Sequence, residues 1–185
     1  MSDGSKLTVV LTGSTGAIGG AIATGLAKSN NVSTLILVVR DAAKGEAVAA
    51  KLRSPAVNVE VALADLVKPA SVAQCAAGLC EKLPKIDVLV NNAATVEKKR
   101  EEVNGLERQF AVNVLSYLVM MKGLLPKMGE GGRVVCVASM LASGLDLSDL
   151  QTSKKSYAAM DVYARTKQVR TIPPPCFFCA SSLLA

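Results

Sequence analysis

Tyr163 and Lys167, a tyrosine and a lysine four residues apart, are the pair of side chains in this sequence best suited to proton transfer. On a helix, residues four apart lie on the same face, so the two side chains would be neighbours. An ammonium close to a phenol stabilises the phenolate, so the hydroxyl can give a proton to a carbonyl oxygen or take one from an alcohol. Tyr157 does not compete for this role, because Asp161 stands four residues after it.

A glycine-rich segment, TGSTGAIG from Thr12 to Gly19, lies between the first predicted strand and the first predicted helix. Glycines at such a junction allow a tight turn, close approach of the backbone to a pyrophosphate, and close packing of the helix on the strand. The free N–H groups at the start of the helix favour an anion. The segment therefore predicts a dinucleotide-binding loop that uses Gly13, Ser14, Thr15, Gly16, Ile18 and Gly19.

Arg40 ends the second predicted strand and bears on the choice of cofactor. A carboxylate at this place would accept hydrogen bonds from the ribose hydroxyls and repel a 2′-phosphate. A guanidinium instead grips the 2′-phosphate through paired, charge-assisted hydrogen bonds. We therefore predict NADP rather than NAD. Asp41, the next residue, keeps NAD open, and Arg40 could also be a solvated charge at the end of a strand.

The composition excludes several other functions. The sequence has no histidine, so Ser-His-Asp triads, Cys-His pairs and histidine-containing zinc sites are ruled out, and we predict no metal site. The net charge of +6 is spread along the chain and Trp is absent, so we do not expect nucleic-acid binding. The sequence shows neither an apolar signal stretch nor a run of about 18 apolar residues, so a cytoplasmic protein without a membrane span is expected.

Three cysteines in apolar segments are expected to be buried thiols: Cys75, Cys80 and Cys136.

Continuous apolar runs of strand length alternate with segments of helical character. Runs of this kind are typical of strands covered on both faces. We therefore predict an α/β fold with a doubly wound parallel sheet of Rossmann type. The predicted domain covers residues 1–172, and its last helix begins after Ser156. Three successive prolines end this helix, so an irregular tail is predicted for 173–185. The predicted strands are 6–12, 34–40, 57–65, 87–91 and 133–138, and the longest predicted helix is 105–125.

The order of these motifs resembles that of the short-chain dehydrogenase/reductases, from residue 6 to about residue 170. Within that family the sequence is most similar to the retinol-dehydrogenase-like branch, through the run RDAAKGE from Arg40, the segment NNAAT and the long stretch between Ser139 and Tyr163. The motifs that carry the resemblance are TGSTGAIG, Asp65-Leu66, Asn91-Asn92-Ala93-Ala94, Asn113 in FAVNVLSYL, Ser139 in VASM, and Tyr163 with Lys167 in YARTK.

The resemblance implies an NADP-dependent oxidoreductase that interconverts an alcohol and a carbonyl on a small apolar substrate. Tyr163 would be the acid/base, and Lys167 would favour its phenolate and hold the nicotinamide ribose. Ser139, or Ser143 in a shifted register, would hydrogen-bond the substrate oxygen. Asn113 would anchor a water in the proton relay.

The resemblance also implies further contacts with the cofactor. Asp65 and Leu66 would contact the adenine. Asn91 would stabilise the central strand and the cofactor ribose, and Ala93 belongs to the same cofactor-binding segment. A homodimer through helices near 105–125 and 157–171 is compatible with this pattern.

The C-terminal residues depart from the family pattern. The family continues with at least two further strands, whereas the sequence here runs into PPPCFFCASSLLA, so we expect those strands to be missing. The fifth strand would then form an edge of the sheet. This leaves an alternative hypothesis, namely a catalytically impaired dinucleotide-binding fragment or splice form of such an enzyme.

Overall fold

The computed structural model describes residues 6–169, and within them five parallel strands form a single sheet. The strands of the chain are β1 (Leu7–Thr12), β2 (Val32–Val39), β3 (Asn58–Leu63), β4 (Val88–Asn91), β5 (Glu102–Val103), β6 (Leu106–Glu107) and β7 (Arg133–Cys136). The order in the sheet is β3-β2-β1-β4-β7, with every neighbouring pair parallel, which confirms the predicted doubly wound α/β fold. A separate antiparallel hairpin is formed by β5 and β6.

Helices cover both faces of the sheet, because successive strand residues point to opposite sides. On one face, Val9 and Leu37 pack with Ala23 and Ala49 of the first two helices. On the other face, Val10 packs in a cluster with residues of the third and fifth helices. The helices are α1 (Ala17–Lys28), α2 (Ala42–Leu52), α3 (Pro69–Lys82), α4 (Arg108–Phe110), α5 (Ser116–Leu124) and α6 (Ala159–Val169), with a π-helical turn at Ala111–Leu115 and a 3₁₀ turn at Leu125–Lys127.

The prediction of one uninterrupted helix over 105–125 was wrong. The hairpin of β5 and β6 occupies its beginning, with Asn104 and Gly105 both at positive φ (55° and 77°). An Asn-Gly pair is the preferred sequence for a two-residue turn that requires this conformation. Helical structure begins at Arg108 and includes the wider π turn before α5.

The fifth strand of the sheet, β7, ends earlier than predicted. It stops at Cys136 instead of Ala138, although the Val137 N–H still donates to the Asn91 carbonyl at 3.0 Å. β7 lies at an edge of the five-stranded sheet, as expected. Cys136 is exposed, so the prediction of a buried thiol was wrong there, while Cys75 and Cys80 are partly buried.

The carboxyl ends of the parallel strands share one edge of the sheet. The side on which strands are added to the sheet reverses between β1 and β4, since β2 and β3 extend the sheet to one side of β1 and β4 and β7 extend it to the other. In open α/β sheets, ligands bind at such a switch point, outside the carboxyl ends of the strands. Among residues 6–169, no helix is both long and apolar enough to cross a bilayer. The predicted tail, 173–185, lies outside the described residues.

Candidate functional site

The glycine turn after β1 packs tightly against the segment that follows β4. Gly13 has φ +74°, and a Cβ built on it would lie 2.7 Å from the Ala93 Cα. A Cβ on Gly19 would overlap the Gly13 carbonyl oxygen and lie 2.7 Å from Asn92 Nδ2. Both positions therefore require glycine, which keeps the backbone free to approach a ligand closely.

A set of hydrogen bonds holds the two loops of the switch point together. The Thr12 hydroxyl oxygen accepts from the N–H groups of Asn92 (3.0 Å) and Ala93 (3.1 Å). In return, Asn92 Nδ2 donates to the carbonyl oxygens of Thr12 (3.0 Å) and Gly13 (3.3 Å). Thr12 and Asn92 both lie within the sequence motifs, but no role had been predicted for either residue.

The start of α1 has features that suit the phosphates of a dinucleotide. Its N-cap is Gly16, whose position provides no side-chain cap, so the first N–H groups of the helix have no side-chain acceptor at the cap. Ser14 is buried, and its hydroxyl has no hydrogen-bond partner within residues 6–169. Thr15 and Ile18 are exposed at the same turn. The predicted phosphate-binding residues are therefore gathered at one helix N-terminus, where anions are favoured.

A groove of about 820 Å³ runs along the carboxyl ends of the first four strands of the chain. Two cationic side chains, Arg40 and Lys44, line one part of it, and both residues are exposed. The Asp41 carboxylate accepts a hydrogen bond from the Lys44 N–H at 3.0 Å and so caps α2. Several predicted cofactor-binding residues line the groove together: Gly13, Thr15, Arg40, Asp65, Leu66 and Ala93.

Asp65 is held firmly at the end of β3. Its N–H donates to the Ser71 hydroxyl at 3.0 Å, and one carboxylate oxygen accepts from the Val67 N–H at 3.3 Å. The other oxygen forms an ion pair with the Lys68 ammonium at 3.3 Å. These contacts hold in place the loop that carries Leu66, which lines the groove. The adenine contact of Asp65 and Leu66 stays a prediction.

Asn91 is buried at the end of a strand, and its side chain has a hydrogen-bond acceptor without a donor among the described residues. It ends β4 beside β7, with only 1% of its surface exposed. Its side-chain Oδ1 has no partner among the described residues. A buried acceptor of this kind is costly unless a ligand or water satisfies it. This is consistent with the predicted contribution of Asn91 to a cofactor site.

Tyr163 and Lys167 are neighbours on α6, which confirms their predicted proximity. The Lys167 ammonium lies 5.4 Å from the centroid of the Tyr163 ring. It also donates to the Val137 carbonyl at 3.0 Å, just beyond the end of β7, and Lys167 is 2% exposed. Tyr163 is partly exposed. The charge is thus fixed between the sheet and a phenol that a ligand can reach.

Asn113 lies in the middle of the π-helical turn and is fully buried. Its Oδ1 accepts from the Thr95 N–H at 2.8 Å, and its Nδ2 donates to the Thr95 carbonyl at 2.9 Å and to the Thr166 hydroxyl at 3.0 Å. Asn113 thereby joins a groove-lining residue to the residue next to Lys167. Its water-anchoring role stays a prediction.

Ser139 lies in a turn three residues beyond the end of β7. Its hydroxyl oxygen accepts from the Leu141 N–H at 3.2 Å. The alternative serine, Ser143, is joined to the helix of the tyrosine, because its N–H donates to the Ala164 carbonyl at 3.3 Å. The Ser143 hydroxyl also donates to the Leu141 carbonyl at 3.1 Å. The substrate-binding role of either serine stays a prediction.

A buried polar cluster that the sequence analysis missed lies beside these residues. Glu107 is fully buried and accepts a hydrogen bond from the Tyr157 hydroxyl at 3.0 Å. Burial raises the pKa of Tyr157 to about 12; the Glu107 charge adds to this, and a hydrogen bond from Gln109 opposes it. The only sequence signal in this region is the Asn104-Gly105 pair, which indicates a turn. No sequence pattern connects Glu107 with Tyr157, fifty residues later.

The family model and two curated proteins that match this chain agree with one another. Residues 7–167 match the family model described as short chain dehydrogenase. The chain is 31% identical over 170 residues to human dehydrogenase/reductase SDR family member 12, covering 88% of this chain and 53% of that protein. It is 30% identical over 167 residues to human retinol dehydrogenase 13, covering 86% and 50% respectively. The chain therefore spans about half the length of these curated relatives.

A solved structure shows the same arrangement of the backbone. A short-chain dehydrogenase from Burkholderia cenocepacia J2315, in complex with NADP, is 25% identical and aligns with a TM-score of 0.71. The alignment covers 91% of this chain and 64% of that chain.

Proposed function

We propose, from the premise that this chain belongs to the short-chain dehydrogenase family, that it interconverts an alcohol and a carbonyl compound by hydride transfer with NADP. The observation that carries the proposal is the pair on α6, with the Lys167 ammonium 5.4 Å from the Tyr163 ring centroid. Together with a glycine turn at the switch point of the sheet, this pair supplies a proton donor beside a dinucleotide site.

Tyr163 acts as the acid/base in this proposal. In the reduction, its hydroxyl donates a proton to the carbonyl oxygen of the substrate, and in the oxidation its phenolate takes the proton of the alcohol. The buried Lys167 ammonium stabilises the phenolate by its charge. Its hydrogen bond to the Val137 carbonyl keeps it close to the ring. Ser139 is proposed to hold the substrate oxygen during the transfer.

NADP is the cofactor that we infer for the groove. Arg40 and Lys44 line it, and in residues 6–169 the Arg40 side chain makes no hydrogen bond or ion pair that would compete with a 2′-phosphate. Asp41, the residue that could favour NAD, is engaged in capping α2. The Burkholderia relative was solved with NADP, in agreement with this inference. When bound, the nicotinamide supplies or accepts the hydride.

The substrate is proposed to be small and apolar. The segment between Ser139 and Tyr163 exposes large apolar side chains, of which Met140 is completely exposed and Leu147 is 74% exposed. Exposed apolar side chains that flank a site favour ligands of the same character. The others in this segment are Leu141, Leu150 and Met160.

The experiment that tests the proposal compares the unsubstituted chain with Tyr163→Phe. NADPH consumption is followed across a panel of aliphatic and aromatic aldehydes and ketones, and NADPH binding is measured by fluorescence titration. We expect turnover by the unsubstituted chain and its loss in Tyr163→Phe, with NADPH affinity retained. Asp161→Asn, on an exposed part of the same helix, is the matched control. NADPH binding without any turnover would instead support the impaired-fragment hypothesis.

The proposal includes a cytoplasmic location and extends to a homodimer, with which the sequence pattern is compatible. Fractionation of cells that express the chain tests the first point. The mass of the purified chain in solution tests the second.

A further inference from the structure

We propose that Glu107 and Tyr157 are positioning residues that fix the start of α6, and with it Tyr163, against the helix that carries Asn113. The inference rests on the proposed function, because it concerns how the proton donor of that reaction is held. Neither residue belongs to the groove or to the Tyr163–Lys167 pair, so their effect would pass through the backbone of α6.

Glu107 provides the acceptor around which the cluster is built. Its Oε1 accepts from the Gln109 N–H at 2.8 Å, and its Oε2 accepts from the Phe110 N–H at 2.7 Å. The same side chain therefore caps the first turn of α4, where negative charge is favoured. The Glu107 N–H donates to Gln151 Oε1 at 2.9 Å, which ties the hairpin to the segment before α6.

Tyr157 and Gln109 extend the cluster to α6 itself. The Tyr157 hydroxyl donates to Glu107 Oε1 at 3.0 Å and accepts from Gln109 Nε2 at 2.6 Å. Gln109 Nε2 also donates to the Ala159 carbonyl at 3.2 Å. Ala159 is the first residue of α6. In a regular α-helix the carbonyl of residue 159 accepts from the N–H of residue 163, so this tie lies one turn before the proposed proton donor.

Two connections consequently join α6 to the helical segment from Arg108 to Leu115. One is the Gln109–Ala159 bond with the Glu107–Tyr157 pair beside it, and the other is the bond from Asn113 to Thr166 at 3.0 Å. Tyr163 lies between them on α6. A single contact lets a helix pivot about it, whereas two contacts separated along the helix restrict both its sliding and its tilt against the neighbouring segment. The cluster thus sets the position of the phenol relative to Asn113.

The chemistry of the cluster suits a rigid support. A fully buried carboxylate is costly unless donors satisfy it, and Glu107 has three, of which two are backbone N–H groups. Because the pKa of Tyr157 is raised to about 12, its hydroxyl stays protonated and remains a donor at all working pH values. Loss of the hydroxyl leaves the cap of α4 and the Gln109–Ala159 bond in place, and it removes the two hydrogen bonds that hold Tyr157, two residues before α6, against Glu107 and Gln109.

The test uses two variants of the full chain and one control. Tyr157→Phe removes the hydroxyl alone, and Glu107→Gln keeps one acceptor oxygen for Tyr157 as a conservative variant. The control is Glu60→Gln, which replaces a carboxylate on β3 that forms an ion pair with Lys82 of α3. We expect Tyr157→Phe to lower kcat for carbonyl reduction by about tenfold, since small misplacements of reacting groups cost rate. The KM and the NADPH dissociation constant should stay within about twofold, because the groove is unchanged. Glu107→Gln should retain most of the kcat.

A second measurement keeps this inference separate from the proposed function. The chain is labelled at the tyrosine ring with ¹³C, and the NMR signal of Tyr163 is assigned with Tyr163→Phe. We expect Tyr157→Phe to shift that signal and Glu60→Gln to leave it in place. If the unsubstituted chain turns over no carbonyl compound, the proposed function is refuted, and a shifted Tyr163 signal still supports the positioning role. Unchanged kcat in Tyr157→Phe, or an unchanged Tyr163 signal in an inactive chain, would overturn the inference.

Discussion

The Asn113 carboxamide donates to the Thr166 hydroxyl at 3.0 Å, across the boundary between the π-helical turn and α6. The Thr166 hydroxyl in turn donates to the Tyr163 carbonyl at 2.7 Å, so Asn113 reaches the backbone of the proposed proton donor through one side chain. On its other side Asn113 holds both backbone polar groups of Thr95, which lines the groove. One buried amide therefore connects the groove to the helix of the Tyr163–Lys167 pair.

Replacing Asn113 with alanine should destabilise the fold as well as the site. The substitution leaves the N–H and carbonyl of Thr95 without their side-chain partner, which costs about 2 kcal/mol in the free energy of unfolding. Urea-induced unfolding measures this difference directly. Asn58→Ala, at an exposed residue of β3, should change the free energy of unfolding by less than about 0.5 kcal/mol. Equal effects of the two substitutions would contradict the bridging role of Asn113.

The sheet and the site residues on it could be predicted because their signals are local. Strands covered on both faces require continuous apolar runs, so β2 was predicted at 34–40 and is found at Val32–Val39. Tyr163 and Lys167 were predicted as neighbours because helical geometry alone brings residues four apart together. The glycine turn was recognised from its position between a strand and a helix, which the structure confirms for Gly13 and Gly19.

The features that the sequence analysis missed depend on contacts between distant segments. The π turn around Asn113 inserts an extra residue into a helical turn, and the bonds of that residue to Thr95 and Thr166 accompany the widening. Neither partner could be identified from the helical pattern. The hydrogen bond between Glu107 and Tyr157 likewise joins two distant segments, so it could not be predicted from local sequence. The Asn104-Gly105 turn is different, because Asn-Gly is a local turn signal, yet Gly105 was predicted to begin a helix.

Arg40 should control the preference for NADP over NAD. Arg40→Gln removes the charge that would pair with the 2′-phosphate, so the dissociation constant for NADPH should rise about tenfold or more, as expected for one charge-assisted contact. The dissociation constant for NADH should stay nearly unchanged. Lys51→Gln, at an exposed position in the last turn of α2, is the matched control. Titration of both cofactors against both variants measures the effect, and equal losses for NADPH and NADH would show that Arg40 does not recognise the phosphate.

Two glycines of α1 should respond in opposite ways to the same substitution. Gly19→Ala brings a methyl group into the Gly13 carbonyl and Asn92, so the loop must shift and NADPH binding should be lost. Gly25→Ala meets nothing within 4 Å, and alanine is favoured over glycine in a helix by about 0.5–1 kcal/mol. Gly25→Ala should therefore raise the free energy of unfolding while NADPH affinity is retained. Thermal unfolding and fluorescence titration of both variants test the pair, and retained binding by Gly19→Ala would show that the turn is not a close-approach site.

Asp87 should contribute a stability that depends on pH. Burial by itself would raise the pKa of this carboxyl, but hydrogen bonds from the Lys85 ammonium and from the Thr8 N–H (2.8 Å) outweigh it and lower the pKa below its ordinary value. A carboxyl whose pKa is lowered on folding stabilises the folded chain above its unfolded pKa of about 4, and this stabilisation is lost as the pH falls through the folded pKa. Asp87→Asn should therefore have a lower free energy of unfolding than the unsubstituted chain at neutral pH. When the pH is lowered below about 4, the free energy of unfolding should fall less for Asp87→Asn than for the unsubstituted chain. Urea unfolding across this pH range measures the slope, with Asp161→Asn, at an exposed position, as the control. Parallel curves for Asp87→Asn and the unsubstituted chain would show that the contact between the amino-terminal ends of β1 and β4 carries no such linkage.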